Sequence, residues 1–141
     1  MAYAIINNDQ LYRIASDDDA KTNLNLNESD YTIMDITDEQ FNKLKKEEAT
    51  ISGSSGSYSV TDLEVNHPAS EGEVKAKIQG IVDIFEYFLV DHENHSMAND
   101  IRSYITFLKE IDTSSISYPM SQSFFDYVES QSQTVISPLQ V

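Results

Sequence analysis

Apolar and polar residues alternate along the N-terminal half of the chain and switch to a three-and-four spacing near His67-Pro68. Alternation puts every second side chain on one face of a strand, whereas the longer period fills one face of a helix. The pattern therefore predicts an α+β chain. Residues 1–66 form a small antiparallel β-rich part with one helix, residues 67–132 a C-terminal bundle of about three helices, and residues 133–141 an apolar tail that is either docked on the body or waiting for a partner.

In the first part, Tyr3–Ile6 and Gln10–Ile14 are β-prone runs. Asn7-Asn8-Asp9 between them tolerate left-handed backbone, which reads as a hairpin. Asp17–Ala20 reads as a short helical turn capped by Ser16, Leu24 and Leu26 as an extended edge segment, and Tyr31–Ile36 as a further strand. The strongest local signal is ITDEQF. Thr37 and Gln40 have capping-box spacing, and Ile36 and Phe41 have that of a hydrophobic staple, so a helix should run from about Asp38 to Glu48. TISGSSGSYSV then predicts a second hairpin with Gly53–Gly56 as its flexible tip.

In the second part, Ser70 and Glu73 form another capping box. Val74, Ile78, Ile81, Val82, Phe85, Phe88 and Leu89 share one helical face, while Ile84 and Tyr87 add a second apolar edge, so this helix should be contacted on two sides. Ser96 is placed to cap a helix in which Met97, Ile101, Tyr104, Ile105, Leu108 and Ile111 repeat the period. Pro119 suits the first turn of a third helix that buries Phe124, Phe125 and Val128.

Charge narrows the partners. Twenty-four acidic residues face nine basic ones, a net charge of −15, and the densest basic spot, Lys43, Lys45 and Lys46, runs straight into Glu47 and Glu48. Phosphate backbones need clustered Lys or Arg, so nucleic acid and anionic membrane are not expected as ligands. A basic protein or a divalent cation would be electrostatically easier. With no cysteine, disulfides, thiolate chemistry and Cys-ligated zinc are excluded. No apolar run reaches the length of a membrane helix, and the opening MAYAIINNDQ lacks the basic region of a signal peptide, so it is read as a first strand.

The one dense chemical cluster is DHENHSMAND, Asp91–Asp100. His92 and His95 could share a helical face and, with His67, supply ligands for a metal-dependent enzyme. Their spacing is one residue short of the zinc-protease pattern. The competing reading is a polar corner between two helices, with the histidines complementing a helix C-terminus. Asp17 and Asp19 alternate as calcium ligands would, but the turn glycine is missing and Lys21 stands where a ligand belongs. No serine sits in a nucleophile elbow and no glycine-rich phosphate loop is present, so no catalytic residue and no cofactor are assigned.

The opening MAYAIINNDQLYRI resembles the start of small tail-associated and virion proteins of tailed bacteriophages, several of which begin with a hairpin of this polar-turn type. The acidic, cysteine-free, Asn/Ser/Asp-rich composition is similar to that of small structural proteins of marine and cyanobacterial phages. The resemblance covers residues 1–14 and composition, transfers no functional residue, and implies an assembly protein without an active site. The expectation is a non-enzymatic structural or adaptor subunit of a virion (tail, neck or capsid-associated), assembled in host cytoplasm and acting through protein contacts or as a homo-oligomer. The interface candidates are Tyr3, Ile5, Leu11, Tyr12, Tyr87, Phe107, Tyr127, Val135, Ile136, Leu139 and Val141. An acidic decoy that docks on a basic host protein is the alternative binding class.

Overall fold

In the computed structural model, which describes residues 1–141, the chain is α+β and divides into two compact units. One comprises Met1–Val65 together with Leu139–Val141, the other Asn66–Pro138. The tail is thus shared between the two units instead of forming a segment of its own.

The first unit is built on strands β1 (Ala2–Asn7), β2 (Gln10–Ala15) and β3 (Thr32–Ile36), in the order β2-β1-β3 and antiparallel throughout. Asn8 and Asp9 link β1 to β2 with φ of 52° and 62°. Two consecutive positive-φ residues make the tight turn whose twist matches a hairpin, which is why Asn and Asp stand there. The register slips between Ile5 and Ile6, so that Arg13 and Leu11 face them and Tyr12 is bulged. Tyr12 then stacks on Tyr31 at 5.1 Å, with the Arg13 guanidinium 4.4 Å from its ring.

Alternation along β1 sends Ala2, Ala4 and Ile6 to one face. There they join Ile14, Ile36, and Phe41 and Leu44 of helix α2 (Asp38–Lys45). Alanines at 2 and 4 leave room for those two larger side chains, each contributing about 1.5–3 kcal/mol by burial. Helix α2 starts where the capping box puts it. The Thr37 hydroxyl accepts from the Gln40 amide at 3.1 Å, and the Gln40 side chain accepts from the Thr37 amide at 2.9 Å. It stops three residues short of the expected end, because Glu47 takes a left-handed conformation that leads into strand β4 (Ala49–Ser54).

Strands β4 and β5 (Ser57–Asp62) form the second hairpin. Its tip is a two-residue turn, Ser55-Gly56, and not a loose loop, because the ladder continues through Gly53, which pairs with Tyr58. Asp9 fastens this tip to the first hairpin by accepting from the Ser55 amide at 3.3 Å and the Tyr58 hydroxyl at 2.5 Å. Leu24–Leu26 is not an extended edge. Leu24 closes helix α1 (Asp18–Asn23), which Asp17 rather than Ser16 caps, and Asn25 turns the chain at φ 55°. Tyr3 lies under α1, donating to Asp18 with the Lys21 ammonium 4.4 Å from its ring. At the C-terminus Leu139 packs against the sheet core and the Val141 carbonyl accepts from Arg13 Nε at 3.1 Å.

The second unit is helical: α3 (Glu71–Asp91), α4 (Ala98–Glu110) and α5 (Phe124–Ser130). Ser70 caps α3, but Glu73 reaches back to the Ala69 amide, one residue earlier than a capping box requires. Val74, Ile81, Val82 and Phe85 of α3 are buried, as are Ile101, Tyr104, Ile105 and Leu108 of α4, and Phe85 meets Tyr104 edge to face at 6.0 Å. Helix α5 is capped by Ser123, so Pro119, which follows a cis bond, precedes the helix by several residues and does not open it. Phe124, Phe125 and Val128 are its buried residues, and Lys77 of α3 lies 4.8 Å from the Phe125 ring.

Candidate protein-interaction surface

Helix α3 advances 100° per residue, so the buried Val74, Ile81, Val82 and Phe85 share one face, with Phe88 and Leu89 half-buried on its flanks. A second apolar edge runs along the opposite side. Ile84 is 53% exposed, Tyr87 80% and Val90 74%, and no other residues within a helix of this chain are large, hydrophobic and exposed. One turn before Ile84 stands Gly80, whose missing side chain opens onto free space. The expected contact on two sides is therefore met on one side only, and the second edge is bare in the monomer.

The fringe of this edge is acidic. From Ile78 to Ile101 there is no Lys or Arg, while Asp83, Glu86, Asp91, Glu93 and Asp100 fall within the same stretch. Asp83 accepts from the Gln79 amide group at 2.7 Å, and Glu86 from Lys109 at 2.7 Å. Asp91 and Glu93 stand exposed where the helix ends.

That end is the DHENHSMAND corner. The His92 ring stacks on Phe88 at 4.3 Å, nearly parallel, and its Nδ1 lies 2.9 Å from the Phe88 carbonyl, to which it donates. His95 meets the same phenyl ring edge-on at 5.4 Å. Its Nδ1 accepts from the Met97 amide at 3.0 Å, the service at the head of α4 that Ser96 was expected to perform. Accepting there leaves Nδ1 unprotonated. Partial burial, helped by the neighbouring His92, holds the His95 pKa below its ordinary value. Arg102 secures the loop by donating to the Glu93 carbonyl at 3.0 Å and to Asn99 at 2.9 Å. The polar recess beside it, lined by Glu93, Asn94, His95, Asn99 and Arg102, is broad and open.

Both imidazoles thus spend Nδ1 on backbone. No group of three His, Asp or Glu side chains converges as a metal site would need, and His67 lies in the segment leading to α3. The corner is built as a helix connection.

The interface candidates scatter. Tyr87 is the most exposed of them, and Tyr3, Leu11, Tyr12, Phe107, Tyr127, Leu139 and Val141 are half-buried. Ile5 and Val135 are each 1% exposed and Ile136 7%, so these three are interior residues and cannot be a waiting contact surface. Ile5 lies on the face of β1 opposite Ala4 and Ile6, and the tail is buried over Val135, Ile136 and Ser137. Val90 was missed, although its place one turn after Glu86 and three residues after Tyr87 was readable from the same helical period. No helix is long and apolar enough to cross a membrane. Comparison with family models, curated proteins and solved structures yields no match.

Proposed function

We propose that this chain is a non-enzymatic structural or adaptor subunit that works through protein–protein contact, with the exposed Ile84-Tyr87-Val90 edge of α3 as its principal docking surface. The observation that carries the reading is an apolar helix edge left in water while Val74, Ile81, Val82 and Phe85 are buried on the opposite face of the same helix. Exposed apolar patches with polar rims mark interaction sites in proteins whose cores are otherwise closed. Tyrosine at the centre of such a patch is a favoured anchor, since its ring buries a large area and its hydroxyl keeps a polar partner.

The likeness of residues 1–14 to small virion proteins supports the finer reading that the assembly is a tailed-bacteriophage particle. The net charge of −15 favours a second reading, in which the partner is a basic host protein.

The test is co-purification of the full chain from the cells that make it, beside an Ile84→Ser/Tyr87→Ser variant, with native mass measured by light scattering. The adaptor reading expects a stoichiometric companion or oligomer that the variant loses. A wild-type chain that stays monomeric and unaccompanied overturns it.

A further inference from the structure

We infer that the bare edge of α3 receives an amphipathic, cationic helical segment of another protein, seated side by side with α3 and held by apolar anchors flanked by Lys or Arg. The inference rests on the adaptor reading and names the chemistry of the partner.

Three observations converge on this occupant. The first is shape. Ile84, Tyr87 and Val90 follow one another at three-residue steps, so the edge is a short ridge along a helix, complementary to side chains spaced i, i+3, i+4 and i+7 on a second helix. Gly80 extends the line one turn further with an open position, where a partner's backbone or a bulky side chain can come close. The second is charge. Asp83 and Asp91 stand exposed on α3 beside the ridge, while Glu86 is taken by Lys109, so basic side chains beside the partner's apolar stripe would meet those two carboxylates. The third removes the competing occupant. A second copy would set two chains of charge −15 against each other and bring the same acidic fringes together. Three side chains also offer much less than the roughly 800 Å² per partner of a stable symmetric interface, whereas a short helix needs only a few anchors.

The experiment uses the intact chain and fluorescence anisotropy of a labelled synthetic peptide. The peptide carries Leu at i, i+3, i+4 and i+7 with Lys and Arg on either side. A shuffled isomer of identical composition lacks the apolar stripe. The helical peptide should bind the wild-type chain roughly tenfold or more tightly than the shuffled one, and Tyr87→Ala should weaken it by a similar factor. Both substituted positions are solvent-facing, so circular dichroism of Tyr87→Ala and Ile84→Ala should match the parent. Raising salt from about 0.1 M to about 1 M, which shortens the screening length from about 10 Å to about 3 Å, should weaken binding without abolishing it.

Equal binding of the shuffled peptide overturns the inference by reducing it to bulk charge attraction. Unchanged binding by both variants overturns it by placing the contact elsewhere. A concentration-dependent dimer abolished by Tyr87→Ala assigns the edge to a second copy and also overturns it. The two levels separate cleanly. If the Ile84→Ser/Tyr87→Ser chain loses its companion in cells while the cationic peptide never binds, the adaptor reading stands and the partner chemistry falls.

Discussion

Three of the four glycines provide a comparison within one chain, and Gly53→Ala is its decisive member. Gly53 sits inside strand β4 at φ +124°, a conformation that L residues rarely adopt. A Cβ there would lie 2.1 Å from the Ser57 carbonyl oxygen and 3.1 Å from the Tyr58 Cα, both backbone atoms that cannot swing aside. Relief requires the β4–β5 ladder to open at the Gly53–Tyr58 pair, which also pulls Tyr58 from Asp9. Backbone strain of about 1–3 kcal/mol, with a lost ladder bond of about 1 kcal/mol, puts the cost near 3 kcal/mol. Gly56→Ala meets nothing within 4 Å and carries only the left-handed penalty of about 1–2 kcal/mol. Gly80→Ala, in an open position of a helix, should stabilise by about 1 kcal/mol. Urea denaturation read by hydrogen exchange at Ile51 and Ile101 follows the two units separately. With a slope of about 1–3 kcal/mol/M, Gly53→Ala should lower the midpoint at Ile51 by about 1 M or more. If Gly53→Ala and Gly56→Ala give the same midpoint, the strand does not pass through residue 53 as described and the reasoning fails.

Removing the fully buried ring in Phe85→Ala should cost about 3–5 kcal/mol, seen at Ile101 and not compensated by high salt. The His95 pKa is lowered, so the unfolded chain takes up the proton first. The stability that neutral His95 provides is complete above the ordinary pKa near 6.5 and declines as pH falls through and below that value. His95→Asn, whose side-chain oxygen can accept from the Met97 amide without titrating, should flatten that acid limb of a stability–pH curve; an unaltered limb assigns it to other groups. At the alkaline end Tyr3 is pushed up to about 12 by its hydrogen bond to Asp18, so Asp18→Asn should make one tyrosine ionise earlier in an absorbance titration. The same raised value means the stabilisation from neutral Tyr3 is whole below pH 10 and is lost as pH rises through about 12.

What the residue pattern revealed and what it concealed divide along the range of the forces involved. Short-range signals were readable: Asn8-Asp9 for a tight turn, Thr37 with Gln40 for a helix start, and the period from Val74 to Leu89 for a core-facing helix. Their causes are local backbone sterics and hydrogen bonds within one turn. Ser70–Glu73 looked identical to Thr37–Gln40, yet its glutamate serves Ala69, since both amides are within reach of a long side chain and spacing does not choose between them. Tertiary relations were not readable. Nothing near Val135 or Ile136 says they are interior, and the same apolar tail would look identical if it were waiting for a partner. For the interaction edge, the period marked Ile84 and Tyr87 as surplus to one face. Only the packed structure shows that no element of the helical unit covers them.

The hydrogen bond between Arg13 and Val141 joins residues 128 positions apart and belongs to the unit that holds β1. The helical unit is therefore nested inside the path of the sheet unit, as an insertion between β5 and Leu139. The two hairpins can zip from neighbouring residues within microseconds, but the strip of core beneath Leu139 can be closed only by the segment that follows the whole helical insert. Order of completion is thus written into the thread. Of the two units, the one whose strands are synthesised first is completed only after the other has been made.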